Sequence, residues 1–285
     1  MKFRTELPVP KYPFQISYQD NILLLGSCFS DHIGNYLTNH RFSVLSNPFG
    51  TLFNPVSIAN AIKMTINPEL FAEKYRYFFD NRWVSFAHPG SFSHPDEILF
   101  KKQIFEQFNV TKTFLQKTDY IFVTFGTSYC YRFIERDLIV ANCHKIPNTK
   151  FEKFRLHIDE IVQIYKEITS ILQFFNPSIH IIFTVSPVRH LGDGFHENQL
   201  SKSILHLAIE QLVDNQNLFY FPAYEILMDD LRDYRFYAED LCHPQENAVR
   251  YIEELFAEAF FSQETKDKQK EIEKENKFLN HRKLK

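Results

Sequence analysis

The chain has 285 residues, 44% of them hydrophobic and 24% charged, with a formal net charge of −3 at pH 7. This is enough chain for one large α/β domain with insertions or two small domains, and the charge balance offers no basic stripe for nucleic acid. No apolar run approaches the length of a membrane span. The four cysteines (Cys28, Cys130, Cys143, Cys242) have neither CxxC spacing nor the density of a disulfide scaffold.

The opening MKFRTELPVPKYPFQI puts charges and prolines where a signal peptide carries its apolar core, so a reduced, cytoplasmic protein is expected. Short apolar runs at 22–25, 42–46, 120–125, 180–185 and 218–221 then read as buried strands of a parallel sheet. Amphipathic patterns at 31–38, 56–64, 154–175, 198–214 and 244–261 alternate with them as helices, which argues βαβ units. More than 70 residues separate the second and third runs. Within them RYFFDNRWVSF reads as a hairpin turning at Asp80–Asn81, and YRFIERDLIVAN, after the third run, as another turning near Glu135–Asp137. The expected organisation is a domain over 1–262 with an insertion at about 65–118. A charged helix or tail follows over 263–285, with eight Lys/Arg against five Asp/Glu.

Four stretches carry candidate chemistry. In LLLGSCFS a core strand ends at Gly26 and Ser27 follows, at the start of a helical pattern. Free N–H groups of a first helical turn can hold a developing oxyanion, so Ser27 is a candidate nucleophile; a plain capped turn fits the same letters. In EDLCHP, Asp240 and His243 are three apart, able to face one cleft as an oriented base, or to be an N-cap and a surface histidine; Pro244 can open the last helix. VTFGTSYCY ends a strand on Gly126-Thr127-Ser128, and SNPFGTLFNP sets Gly50 beyond the second strand, with Asn47 and Asn54 around it. Parallel strands aim their carboxyl ends at one rim, which would gather these pieces.

GSCFS, NPFGTLFNP, FGTS, TVSPVRH with SKSILH, and EDLCHP, in that order, resemble the blocks of the GSCFA family, a relative of the SGNH/GDSL hydrolases. The resemblance covers roughly residues 1–260, with Ser30 in place of the motif's final alanine. It implies a flavodoxin-like three-layer α/β/α sandwich with a central parallel sheet ordered near 2-1-3-4-5. It implies a catalytic Ser27, His243 and Asp240, and an oxyanion hole from the Ser27 and Gly50 backbone with Ser128 where typical relatives carry asparagine. Because serine reaches less far, Asn47, Asn54 or Thr127 is an alternative donor. The implied activity is esterase or acyltransferase chemistry on O-acyl, by analogy O-acetyl, esters of small molecules or carbohydrates, with no cofactor or metal. The alternative is a non-catalytic glycan-binding or assembly protein on the same scaffold.

Other residues are read more plainly. Cys28 could compete as nucleophile but suits a packing role, and Cys242 is expected to point away. In SPVRHLGDGFHEN, Ser186, Arg189 and His190 are expected in the cleft together with Asn54 and Thr127; a metal site from His190, Asp193 and His196 fits no strong spacing. His88 and His94 could reach the site from the insertion. SKSILH invites a Ser–Lys dyad, but a capped or solvated helix face is the expectation.

Overall fold

The computed structural model describes residues 4–214 and 216–283, the side chains of 279–283 excepted. Met1–Phe3 of the opening stretch and the last two residues of the charged tail lie outside the described residues. The central sheet is built from β1 (Asn21–Gly26), β2 (Ser43–Ser46), β5 (Tyr120–Phe125), β9 (His180–Val185) and β10 (Leu218–Tyr220). Between them in chain order come β3 (Arg76–Phe79), β4 (Arg82–Ser85), β6 (Tyr129–Phe133), β7 (Leu138–Val140) and β8 (Phe151–Arg155). The five central strands are all parallel, in the order β10-β9-β5-β1-β2, the expected 2-1-3-4-5 arrangement.

Both faces of this sheet are covered, which is why its strands read as unbroken apolar runs. Leu23 and Leu25 of β1, with Ile121, Val123 and Phe125 of β5, pack into one core. Ile22 and Leu24, with Tyr120 and Phe122, pack into the other. The period of two divides each strand between layers. α1 (Cys28–Asn39) lays Phe29, Ile33 and Leu37, spaced by four, on the second core. α2 (Pro55–Ile66), α3 (Glu97–Leu115), α4 (Ile158–Phe175) and α5 (Phe195–Glu210) follow. Residues of all four enter the first core. A short helix α6 (Ala223–Glu225) runs into a π-helical turn (Ile226–Leu231) before α7 (Glu246–Phe260). Among the described residues no helix is long and apolar enough to cross a membrane.

The β3–β4 hairpin turns at Asp80 and Asn81, both at positive φ, as their residue types favour. α3 occupies the stretch that the sequence reading left without an element; Phe100, Ile104, Phe108 and Leu115 are its buried stripe. Two boundaries are corrected. α4 begins at Ile158 rather than 154, because Phe151–Arg155 is recruited as a strand against β6. α7 begins at Glu246, because Pro244 is bridged to Tyr237. The charged tail is a helix, α8 (Gln263–Lys283), and it is not wholly solvated. Thr265, Gln269 and Ile272, at helical spacing, are buried, and Glu273 and Glu275 pair with His40 (3.2 Å) and Arg41 (2.8 Å) beyond α1.

Candidate active site

The corner between β1 and α1 is built around Ser27. Gly26 has φ +142°, and a Cβ there would lie 2.2 Å from the Thr124 carbonyl oxygen, so only glycine fits. Ser27 is the N-cap of α1; its hydroxyl accepts the Phe29 N–H at 3.3 Å and it is 1% exposed. Asn47, just beyond β2, clamps the corner. Its Oδ1 accepts the Gly26 N–H (2.9 Å), and its Nδ2 donates to the Asp31 carboxylate (2.8 Å) and the Ser27 carbonyl (3.3 Å). A buried asparagine with its amide so fully used defines one geometry.

Asp240 and His243 stand on the loop before α7. His243 Nδ1 meets Asp240 Oδ2 at 2.5 Å, and Asp240 Oδ1 accepts the backbone N–H of Cys242 and of His243 at 2.9 Å each. The His243 backbone N–H, its ring and the Cys242 N–H together hold the Asp240 carboxyl down at about 2. The carboxylate thus occupies Nδ1 and leaves Nε2 as the free ring nitrogen. Arg189, after β9, holds this loop: its backbone N–H donates to the Cys242 carbonyl (3.1 Å) and its guanidinium to the Leu241 carbonyl (3.3 Å). The guanidinium also lies over the rings of Phe195, Tyr234 and Tyr237.

These two assemblies border one cavity of about 470 Å³. Ser27 and His243 both line it, and so do Asn54, Thr127, Ser186, Arg189 and His190. No hydrogen bond joins the Ser27 hydroxyl to the His243 ring. Gly50 and Ser128 are not on the cavity wall. The Gly50 N–H donates to the Asn47 carbonyl (2.8 Å), and the Ser27 N–H to the Thr124 carbonyl (3.2 Å). The Ser128 hydroxyl is turned inward onto Ser201 Oγ (3.1 Å). Asn54 is different. It is the N-cap of α2, and because its Oδ1 accepts the Ser57 N–H (2.8 Å) its orientation is fixed; Nδ2 has no protein partner among the described residues.

Beneath the cavity lies the SKSILH stretch, and the expectation of a solvated face fails there. Ser201 and Lys202 are buried, at 3% and 1% exposure. Lys202 Nζ donates to the carbonyls of Gly126 (2.8 Å) and Ser186 (2.7 Å), tying the ends of β5 and β9 together. Burial without a carboxylate partner lowers its pKa to about 7. Ser201 Oγ receives the Ser128 N–H (2.8 Å) and contacts the Thr127 hydroxyl (3.1 Å). The carbonyls that bury Lys202 are main-chain groups, so no pattern of residue letters announces them.

Cys28 lines the cavity beside Ser27; burial, then Asp31, raises its thiol pKa, which disfavours a thiolate. His88 does not reach the site. It is buried, bonded to Ser85 Oγ (2.7 Å) and packed against Phe92. His94 bridges to Trp83 instead. His190 and Asp193 approach at 3.8 Å, and no group of three or more metal-ligating side chains occurs among the described residues.

The sequence reading missed the far wall. Tyr129, Tyr131, Val140, Ala141 and Cys143 line the cavity from the segment after β5. That segment forms a second sheet in the order β7-β6-β8, with Tyr131 opposite Val140 and Lys153. The alternation of Tyr129 and Tyr131 was visible; the face they share was not.

The GSCFA family profile matches residues 21–256. No curated protein matches the chain. Among solved structures, it is similar to a carbohydrate esterase family 3 protein from Talaromyces cellulolyticus (9% identity, 84% of this chain and 95% of that one, TM-score 0.39). It is also similar to a catalytic mutant of Axe2, an acetylxylan esterase from Geobacillus stearothermophilus (14% identity, 87% and 98%, TM-score 0.40). A third is Est2A, an acetyl xylan esterase from the rumen bacterium Butyrivibrio proteoclasticus (12% identity, 88% and 64%, TM-score 0.41). The profile spans the whole sheet, the Ser27 corner and the Asp240–His243 loop, and the chain belongs to the GSCFA family.

Proposed function

We propose that the protein is a serine ester hydrolase or acyltransferase with Ser27 as nucleophile, His243 as general base and Asp240 as its orienting carboxylate. One observation carries this reading: a buried serine at a helix N-terminus and an aspartate-held histidine, more than 200 residues apart, border the same cavity.

In the reaction, His243 Nε2 takes the Ser27 proton as Oγ attacks the ester carbonyl. The carbonyl π-bond breaks and leaves a negative oxygen. As the tetrahedral centre collapses, the alcohol departs with the proton from His243 and the acyl group stays on Ser27. Water, or a second alcohol, then repeats the sequence and frees the serine. Water gives hydrolysis; an alcohol gives transfer. Asn54 Nδ2 is the donor we assign to the oxyanion, since it has no partner among the described residues and Asn54 lines the cavity, whereas the Gly50 and Ser128 donors are engaged elsewhere. The closing step is an approach of the His243 ring to the Ser27 hydroxyl when substrate fills the cavity, as apo sites commonly require.

The test is hydrolysis of short-chain acyl esters, acetates included, by the wild type and Ser27→Ala, with a fluorophosphonate to label the nucleophile. Activity lost on substitution, and label found on Ser27 by peptide mass spectrometry, support the assignment. Equal rates in both proteins, or label elsewhere, overturn it. The missing Ser27–His243 hydrogen bond favours a second reading, a glycan-binding protein without turnover. That reading requires saturable glycan binding that survives His243→Ala.

A further inference from the structure

The cavity beside Ser27 is far larger than an acetyl group requires, and its lining combines polar and apolar side chains. Its polar members include Ser27, Asn54, Ser186 and His243. One wall comes from the β7-β6-β8 sheet, where Tyr131, Val140 and Ala141 meet the cavity, and Phe53 from the loop before α2 adds its ring to the lining. The polar groups of that wall are few and engaged, the Tyr131 hydroxyl with Lys153. The Tyr129 hydroxyl is already given to Glu197, and the Cys143 thiol is a poor donor whose pKa burial raises to about 11. A sugar hydroxyl placed against this wall would lose water without gaining a partner, which is unfavourable. An alkyl chain or aromatic ring would lose nothing and bury apolar area. A volume of about 470 Å³ is that of a small-molecule site rather than of a two-carbon group.

The acyl group stays bonded to Ser27 while the alcohol departs, so the cavity beside Ser27 is the space the acyl group must occupy. The apolar side chains of this wall are then available to it. We propose that this wall is an acyl-specificity pocket, and that the preferred substrate is an ester of a medium-chain or aryl carboxylic acid. This rests on the hydrolase reading above and sharpens it.

The experiment is a series of 4-nitrophenyl esters from acetate through butyrate and hexanoate to octanoate, which varies the acyl chain while the alcohol stays fixed. Each methylene taken out of water is worth roughly fourfold, so kcat/KM for hexanoate should exceed that for acetate by about tenfold or more. Ala141→Phe, which places a ring in the cavity while leaving the backbone bond from Ala141 to Phe86 (2.7 Å) available, should cut the hexanoate-to-acetate ratio by about fivefold or more. Fluorophosphonate labelling of Ser27 counts active sites in that variant. A ratio of one or less in the wild type overturns the pocket assignment. So does a preference that follows the alcohol chain when hexyl acetate is compared with ethyl hexanoate.

Calorimetric binding of octanoate to Ser27→Ala reads the pocket without chemistry. Binding without turnover of any ester leaves the pocket standing and removes the hydrolase reading. Turnover of acetate with neither binding nor chain-length preference does the reverse.

Discussion

Ser27 and His243 border one cavity, but the two sides that carry them are built differently. The serine sits at the carboxyl end of an inner strand, β1, on a corner where Gly26, Asn47, Asp31 and Thr124 are all fixed by hydrogen bonds. The side chains of Asp240 and His243 are about half exposed, on a loop held to the body through Arg189. One side is preorganised by burial; the other is held by a few bonds at the surface. A nucleophile that must meet oxyanion donors tolerates little displacement, whereas a base delivered by a loop can close on a substrate already bound.

Four measurements break or sharpen this contrast, from the largest expected effect to the smallest. His243→Ala should lower kcat for a cleavable ester by about a thousandfold or more, since it removes the base whose ring Asp240 holds at 2.5 Å. Asn47→Ala should act on stability first. It strands the buried Gly26 N–H and releases Asp31, so the urea midpoint should fall by the equivalent of about 2–3 kcal/mol, with activity falling alongside.

The third concerns Lys202. Its pKa is lowered to about 7 in the folded protein, against 10.5 for the free side chain. Below pH 7 both states carry the proton and the full burial penalty is felt. Between pH 7 and 10.5 the folded state has shed it and the unfolded state has not, so stability rises with pH, by at most about 1.4 kcal/mol per unit. A neutral amine keeps two N–H donors, enough for the Gly126 and Ser186 carbonyls. Urea titrations across this window should show the rise in wild type and a flatter profile in Lys202→Met; identical slopes would remove the buried lysine from the account. The smallest effect is expected for Arg189→Gln, where kcat should drop about tenfold with little change in the midpoint, because the loop is loosened and the core is untouched.

Much of the frame was legible from residue letters. The five core strands declared themselves because a doubly covered sheet needs apolar side chains on both faces. Asp80-Asn81 announced its hairpin through tolerance of positive φ. The missed elements have physical reasons. Phe151–Arg155 pairs as a strand only because β6 offers it an edge, and its charged letters carry no strand signal. SKSILH reads as a solvated face because a lysine inside a protein usually has a carboxylate partner; here two main-chain carbonyls and the surrounding burial take that place. Gly50 and Ser128 carry motif positions, yet their donors are spent on Asn47 and Ser201. A motif specifies a residue type, not where its hydrogen bond goes.

The sequence by itself determined the layer architecture and the strand order that the family resemblance implied, and it singled out Ser27, Asp240 and His243 as candidate residues. Those follow from local periodicity and from motif blocks, which lie along the chain. Only the tertiary structure decided that Asn54 Nδ2 is without a partner among the described residues, that Lys202 is buried against the Gly126 and Ser186 carbonyls, and that Tyr131, Val140 and Ala141 line the cavity. Each of these depends on which distant main-chain group or strand a residue meets, and such meetings are fixed by packing across the whole molecule.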